Sequence, residues 1–242
     1  MIISSQSSTE IEVCLSPELL HLYDLQGKIV VVTDIFRATS CIVTALANGV
    51  DHIVPVAKLE ECIALKDQGY VLAGQRNGEK VEGFDLGNSP YHYLKAKYSG
   101  RKIAMTTTNG TVALTMAAHT AKQVLVGSFL NIKTVANYLR NKEESVVIVC
   151  AGWKGKFSME DSLFAGSLVE DLSRTHKIEC DAALATQSLI QLAKFDLFSY
   201  LQKSSHYLRL SRLGLEKDMK FSLQFDLFPI LPVFENGKLR VL

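Results

Sequence analysis

The sequence predicts an α/β protein, a three-layer α/β/α fold around a largely parallel or mixed sheet. Two patterns carry that reading: short apolar, β-branched runs recur along the chain, and most of them are followed by a longer segment of helical period. Composition agrees, since 48% hydrophobic residues against 21% charged in 242 provide a sizeable core and exclude a disordered chain. No linker, repeat or low-complexity tract interrupts the pattern, so residues 1–242 are expected to form a single domain.

The first clear strand is IVVVT, over 29–33, an unbroken β-branched run that reads as buried on both faces; a helix over 38–48 follows. Apolar runs over 52–56 and 70–73 read as strands around a helix over 59–68. Three further strand–helix units follow, 102–106 with 110–118, 123–126 with 132–140, and 146–150 with 159–175. After Cys180 the alternation stops, and 181–194, 205–213 and 216–223 have helical period. A final extended piece over 229–234 leads to an Asn236-Gly237 turn and the run 238–242.

Lys and Arg total 26 against 25 Asp and Glu, a formal charge of +1, which offers a nucleic-acid backbone or an anionic membrane no global attraction. The expected partner is instead a small anionic molecule at a local positive site, with a homo-oligomer left open. The five cysteines form no CxxC pair and lie mostly in apolar runs, so they are expected to be buried free thiols in a reducing cytosol. The start, MIISSQSSTEIEV, lacks the basic, apolar pattern of a secretory signal, and no apolar stretch approaches a membrane span. A soluble, cytoplasmic protein is the expectation.

In an open α/β sheet, ligands bind beyond the carboxyl ends of the strands, where loops and helix N-termini converge. Four such ends are polar here. In VVVTDIFRATS, Asp34 and Arg37 either cap and flank the next helix or place an acid beside a guanidinium at the ligand edge. The long connection GQRNGEKVEGFDLGNSP brings Arg76, Glu82 and Asp85, with Phe84 to pin it, and its length favours a functional loop over simple turns. In TTTNGT, Thr107, Thr108, Asn109 and Gly110 can cap a helix or hold phosphate at its positive end. In CAGWKGKFSMEDSLFAG, Lys154 and Lys156 stand near Glu160 and Asp161, acids that are also ordinary in a first helical turn. Together the four supply carboxylates for a hard cation such as Mg²⁺ and donors for an anion, which suggests phosphoryl chemistry. No Walker A loop, dinucleotide fingerprint, DxD acid pair, Cys five residues before an Arg, RHG triplet or zinc spacing occurs.

These four blocks, with the C-terminal stretch SSHYLRLSRLGLEKDMKFSLQFDLFPILPV, resemble the successive signatures of the 2-phosphosulfolactate phosphatase family, from about Glu10 to the C-terminus. The resemblance implies an α/β/α protein that hydrolyses 2-phospho-3-sulfolactate to 3-sulfolactate and phosphate with Mg²⁺, a step of coenzyme M biosynthesis in methanogens with relatives in bacteria. Two positions depart from the family pattern. Gln75 stands where an acid is expected and Val112 where an Arg is expected, changes that remove a candidate metal ligand and a cation near the phosphate loop.

A phosphate monoester dianion repels a nucleophile, so its charge must be neutralised and an attacking oxygen aligned. The expected Mg²⁺ ligands and bases are Asp34, Asp85, Glu160 and Asp161. Arg37 acts with Asp34 on the reacting phosphate, while Arg76 and the Thr107–Gly110 loop hold substrate oxygens. Lys154 and Lys156 serve the remaining anions. His206 either protonates the leaving oxygen or is a half-buried helix histidine. Two other readings stand beside this one: a Mg²⁺-dependent phosphatase for another small phosphorylated 2-hydroxy acid, and a non-catalytic anion-binding relative.

Overall fold

The computed structural model describes residues 9–76 and 78–242. The first eight residues and Asn77, and with them part of the N-terminal reading and the Asn77-Gly78 turn, lie outside the described residues. The strands are β1 (Ile11–Cys14), β2 (Ile29–Thr33), β3 (His52–Pro55), β4 (Val71–Arg76), β5 (Glu79–Lys80), β6 (Lys102–Thr106), β7 (Gln123–Gly127), β8 (Val146–Cys150), β9 (Pro232–Glu235) and β10 (Lys238–Val241). They form one 10-stranded sheet in the order β1-β8-β2-β7-β9-β10-β3-β6-β4-β5. The helices are α1 (Ala38–Ala47), α2 (Leu59–Ala64), α3 (Gly110–Ala117), α4 (Ile132–Arg140), α5 (Met159–Leu172), α6 (Asp181–Ala193), α7 (Leu197–Leu201), α8 (Ser205–Ser211) and α9 (Glu216–Ser222).

Side chains alternate between the two faces of the sheet and thereby build the layers. On one face Val30 and Val32, Val124 and Val126, and Ile103 and Met105 share a core with Cys41 and Ile42 of α1 and Ala113 and Leu114 of α3. On the other, Ile29, Val31 and Ile148 pack against Val135, Phe164, Leu168 and Ile190 of α4, α5 and α6. Leu72 and Ala104 meet Cys62 of α2 and Phe84 in a smaller cluster. The expected α/β/α layering is therefore present, around a mixed sheet.

Direction within that sheet is less simple than a run of βα units suggests. β1, β8, β2 and β7 are mutually parallel, and so are β3, β6 and β4. Between them the β9–β10 hairpin makes antiparallel pairs with both groups, so the second group is reversed relative to the first. Twist offsets this reversal. β6 lies five places from β2, and at about 20–25° per step the accumulated rotation is roughly 100–125°. The carboxyl ends of β2 and β6 thus swing toward one another on the face that carries α1 and α3.

The hairpin itself was legible: Asn236 (φ 51°) and Gly237 (φ 75°) both take the left-handed conformation that a two-residue turn between twisted strands demands. Other elements differ from expectation. The helix over 59–68 is α-helical only to Ala64 and continues as a 3₁₀ turn, Lys66–Gln68. The helix expected over 159–175 ends at Leu172. Edge strand β1 and helix α7, with Asp196 capping the Ser199 N–H at 3.0 Å, add to the expected set. Strand β4 does not stop at residue 73 but runs to Arg76 and turns back through β5, so part of the supposed loop is a hairpin. All five cysteines are free, four of them buried. Among the described residues no helix is long and apolar enough to cross a membrane.

Candidate active site

Asp34 leaves the fully buried strand β2 and is itself only 6% exposed. Its N–H donates to Thr39 Oγ1 (3.1 Å) and its Oδ1 accepts from the Ala38 N–H (3.3 Å), so the carboxylate serves the first turn of α1. Its other oxygen faces the start of α3. A Cβ on Gly110 would lie 2.9 Å from Asp34 Oδ2 and 2.8 Å from Ala38 Cβ. Only glycine allows the two helix N-termini to abut in this way, and their dipoles add positive potential at the junction.

The loop before α3 divides its work. Thr107 Oγ1 accepts from the Thr111 N–H (3.1 Å), and Thr111 Oγ1 donates to the Thr107 carbonyl (3.1 Å), which closes the first turn and leaves Thr107 as a cap. Thr108 and Asn109 instead line a small cavity together with Asp34, Arg37, His206 and Arg209. Gln75 sits in the same wall, its amide spent on internal bonds: Nε2 donates to Thr108 Oγ1 (3.3 Å) and Oε1 accepts from the Gly78 N–H (2.8 Å).

Arg37 is buried and follows a cis peptide bond from Phe36. Its Nη1 pairs with Asp218 Oδ2, and its Nη2 donates to the Gly78 carbonyl (3.0 Å). Asp218 Oδ1 also accepts from Ser89 Oγ (2.8 Å), so this pair clamps α9 and the β4–β5 hairpin to the end of β2.

The loop after β8 reaches the site through α5. Asp161 Oδ1 accepts from the Ile35 N–H (2.8 Å) and Oδ2 from the Gly152 N–H (3.0 Å), bracing the loops after β2 and β8 against each other. Glu160 Oε1 bonds His206 Nδ1 (2.5 Å), whereas its Oε2 is buried with no hydrogen-bond partner among the described residues. Asp34, Glu160 and Asp161 repel one another in this dry corner. Burial raises Asp34 to about 6, with the His206 charge and the Ala38 amide pulling the other way. Burial and the charges of Glu160 and Asp34 push Asp161 well above the usual carboxylate range. Burial also acts to raise Glu160, but the charge and hydrogen bond of His206 outweigh it and leave Glu160 below its ordinary value.

His206 lies on α8, whose N-terminus is capped by Ser204 accepting from the Tyr207 N–H (3.2 Å). The ring meets Phe36 edge-on at 5.9 Å. One turn further, the Arg209 guanidinium stacks 3.7 Å from the centre of the Trp153 ring.

Of the residues expected at the site, Asp34, Arg37, Thr108, Asn109 and His206 line the cavity, and Glu160 and Gly110 contact those that do, whereas Asp161 bonds Ile35 and Gly152 behind the wall. Others fall elsewhere. Strand alternation turns Arg76 away from Gln75, and its guanidinium donates to the Gln75 carbonyl (2.9 Å) and Thr106 Oγ1 (3.0 Å). Asp85 is exposed and accepts from the Leu72 N–H (3.0 Å) along the side of β4, so it is not brought to the carboxylate cluster. Lys154 is exposed with its Nζ over Trp153, while its N–H bonds Asn109 Oδ1 (3.0 Å); Lys156 is exposed beside a second, outer cavity. Val112 is half-buried on α3 and does not line the cavity.

Sequence reasoning missed Arg209 and Asp218. Both carried a signal: Arg209 stands three residues beyond His206, hence on the same helix face, and Asp218 shares the buried stripe of α9 with Phe221 and Ser222, where a carboxylate needs a cation.

Two helix N-termini meeting at a small cavity, with acid–base groups in its wall, define a class: an α/β/α enzyme that holds and cleaves a small anionic ester. Comparison with known proteins narrows it. The family model of 2-phosphosulpholactate phosphatase matches residues 14–237. The chain is 43% identical over 222 residues to a probable 2-phosphosulfolactate phosphatase of Caldanaerobacter subterraneus subsp. tengcongensis, covering 90% of this chain and 92% of that one. It is 42% identical over 207 residues to a protein of the same name from Thermotoga petrophila (86% and 89% covered), and 36% over 235 to one from Clostridium beijerinckii (95% and 98% covered). The chain therefore belongs to the 2-phosphosulfolactate phosphatase family, and so to the enzymes that hydrolyse phosphate monoesters.

Proposed function

We propose that this protein hydrolyses the phosphate ester of 2-phospho-3-sulfolactate to 3-sulfolactate and phosphate in a Mg²⁺-dependent reaction. The observation that carries the reading is the convergence on one cavity of Asp34, the Thr108–Asn109 loop and the Glu160–His206 pair, from segments far apart in the chain. The phosphate docks in the cavity beside the loop before α3, its oxygens facing the Thr108 hydroxyl.

Mg²⁺ keeps several waters and takes only one or two carboxylates from a protein. Among the described residues no three His, Cys, Asp or Glu side chains form a ready-made metal site; the buried Glu160 Oε2, without a partner, and the Asp34 carboxylate, which interacts with it electrostatically, fit that demand. Asp161, with both oxygens engaged, and the distant Asp85 do not. When bound by Glu160 and Asp34, Mg²⁺ supplies charge neutralisation for the phosphate oxygens.

Asp34, in the cavity wall, accepts a proton from the attacking water. His206 gives a proton from Nε2 to the leaving C2 oxygen, while Glu160 at Nδ1 fixes the orientation of the ring. Gln75 orients Thr108 and the β4–β5 hairpin and stays out of the chemistry.

The test is phosphate release from synthetic 2-phospho-3-sulfolactate by the purified chain. Chelation should abolish it and Mg²⁺ should restore it. Full activity after exhaustive chelation removes the metal, and no release with Mg²⁺ present overturns the substrate.

A further inference from the structure

We infer that Arg209 binds the sulfonate of the substrate and is the residue that distinguishes it from phosphorylated 2-hydroxy acids lacking that group; this rests on the proposed phosphatase reading. Two arginines line the inner cavity. Arg37 is already neutralised by Asp218 and bonded to Gly78, so little of its charge is left for a ligand. Arg209 has no ion pair and no hydrogen bond among the described residues, and its Nη2 is buried at the cavity wall. A buried guanidinium nitrogen left without an acceptor is costly, and a ligand oxygen relieves that cost. The rest of the side chain is held in readiness by the Trp153 ring at 3.7 Å, which presents the planar fork in one orientation. Trp153 is itself fixed by a tight turn, its N–H donating to the Lys156 carbonyl (3.0 Å) and its carbonyl accepting from the Lys156 N–H (3.1 Å).

The spacing on α8 selects the sulfonate over the carboxylate. His206 serves the ester oxygen on C2, and Arg209 follows it by three residues, about 5–6 Å away between Cβ atoms. The carboxylate is attached directly to C2, whereas the sulfonate stands one carbon further out and has the longer reach. A second cavity shares Trp153, His206 and Arg209 with the first and is lined also by Lys156, Lys203 and Glu160, so two further cations stand on that side of Arg209. A group that binds but does not react contributes equally to ground and transition states, so its loss raises KM and spares kcat.

The experiment compares two substrates, 2-phospho-3-sulfolactate and 2-phospholactate, with wild type, Arg209→Met and Arg209→Lys, each checked by thermal melting. Wild type should prefer the sulfonate. Arg209→Met, which retains packing on Trp153, should raise KM for 2-phospho-3-sulfolactate by roughly tenfold or more at near-constant kcat, and cost 2-phospholactate, which lacks the sulfonate, clearly less. Arg209→Lys keeps the charge but loses the stacked fork, and should show a smaller loss of the same selectivity; it decides the matter alone if the Met variant does not fold. Equal losses on both substrates, or none on either, overturn the assignment while the phosphatase reading stands. A wild type that prefers 2-phospholactate also overturns it, and one that hydrolyses neither compound overturns the phosphatase reading itself.

Discussion

Replacing Asp218 by Asn keeps the shape of the side chain and removes the charge that faces Arg37. The two side chains are 3% and 8% exposed, so water cannot take over the lost interaction. In the variant Arg37 still donates to the Gly78 carbonyl, and Ser89 can still donate to the amide oxygen, but an amide N–H₂ or its neutral oxygen now meets a buried guanidinium. Breaking a buried ion pair from one side costs about 3–5 kcal/mol, a large share of the roughly 5–15 kcal/mol by which such proteins are stable. Urea unfolding followed by circular dichroism should therefore show a midpoint lowered by on the order of 1 M or more at unchanged slope. Activity should fall with it, because the same pair holds α9 and the β4–β5 hairpin against the cavity. The double variant Arg37→Met, Asp218→Leu removes both charges and should regain part of the stability without regaining activity. A loss below about 1 kcal/mol in the single variant, or a double variant less stable than the single one, would show that the pair is not the strut it is taken for.

Asp34→Asn should lower kcat/KM by roughly 10²-fold or more, about 2.7 kcal/mol of transition-state stabilisation, and near-native steady-state kinetics would remove it from the chemistry; Arg37→Ala should lose activity together with stability, because it breaks the Asp218 pair. Gly110→Ala forces a methyl group into a space bounded by Ala38 Cβ at 2.8 Å and Asp34 Oδ2 at 2.9 Å, and should cost about 1–3 kcal/mol in thermal or urea unfolding, with a loss of turnover. A fully active, equally stable Gly110→Ala protein would contradict the abutting helices. In Gln75→Glu the Thr108 hydroxyl can reverse and donate, so the fold should persist, while the added charge in the cavity wall should raise KM for the polyanionic substrate by roughly tenfold. An unchanged KM, measured at saturating Mg²⁺, would place residue 75 out of reach of the ligand.

Much of the fold was legible because local periodicity is a local property. IVVVT can only be a strand buried on both faces, and Asn236-Gly237 between two apolar runs can only be a tight hairpin turn. The carboxyl ends of β2, β6 and β8 were likewise marked by polar residues that no turn requires. The error at the long connection shows the limit of this reasoning: a strand that runs three residues further than its apolar run puts Gln75 at the cavity and Arg76 behind it, and moves Asp85 to the side of β4. Strand alternation has a period of two, so assigning either side chain to a face needs the strand's true end and its partner.

The sequence by itself determined the layers, the family and the identity of most groups in the cavity, since each depends on residues close together in the chain or on blocks in a set order. Only the tertiary structure decided which charges are free. Asp161 is spent on two main-chain amides, Arg37 on Asp218, and Glu160 on His206, while Arg209 is left with none among the described residues. These pairings join segments separated by as many as 181 positions, brought together by a C-terminal hairpin that enters the middle of the sheet and by the twist that turns β6 toward β2. A charge's availability depends on what fills its nearest few ångströms, and long-range pairing sets those neighbours without leaving any periodic trace in the chain.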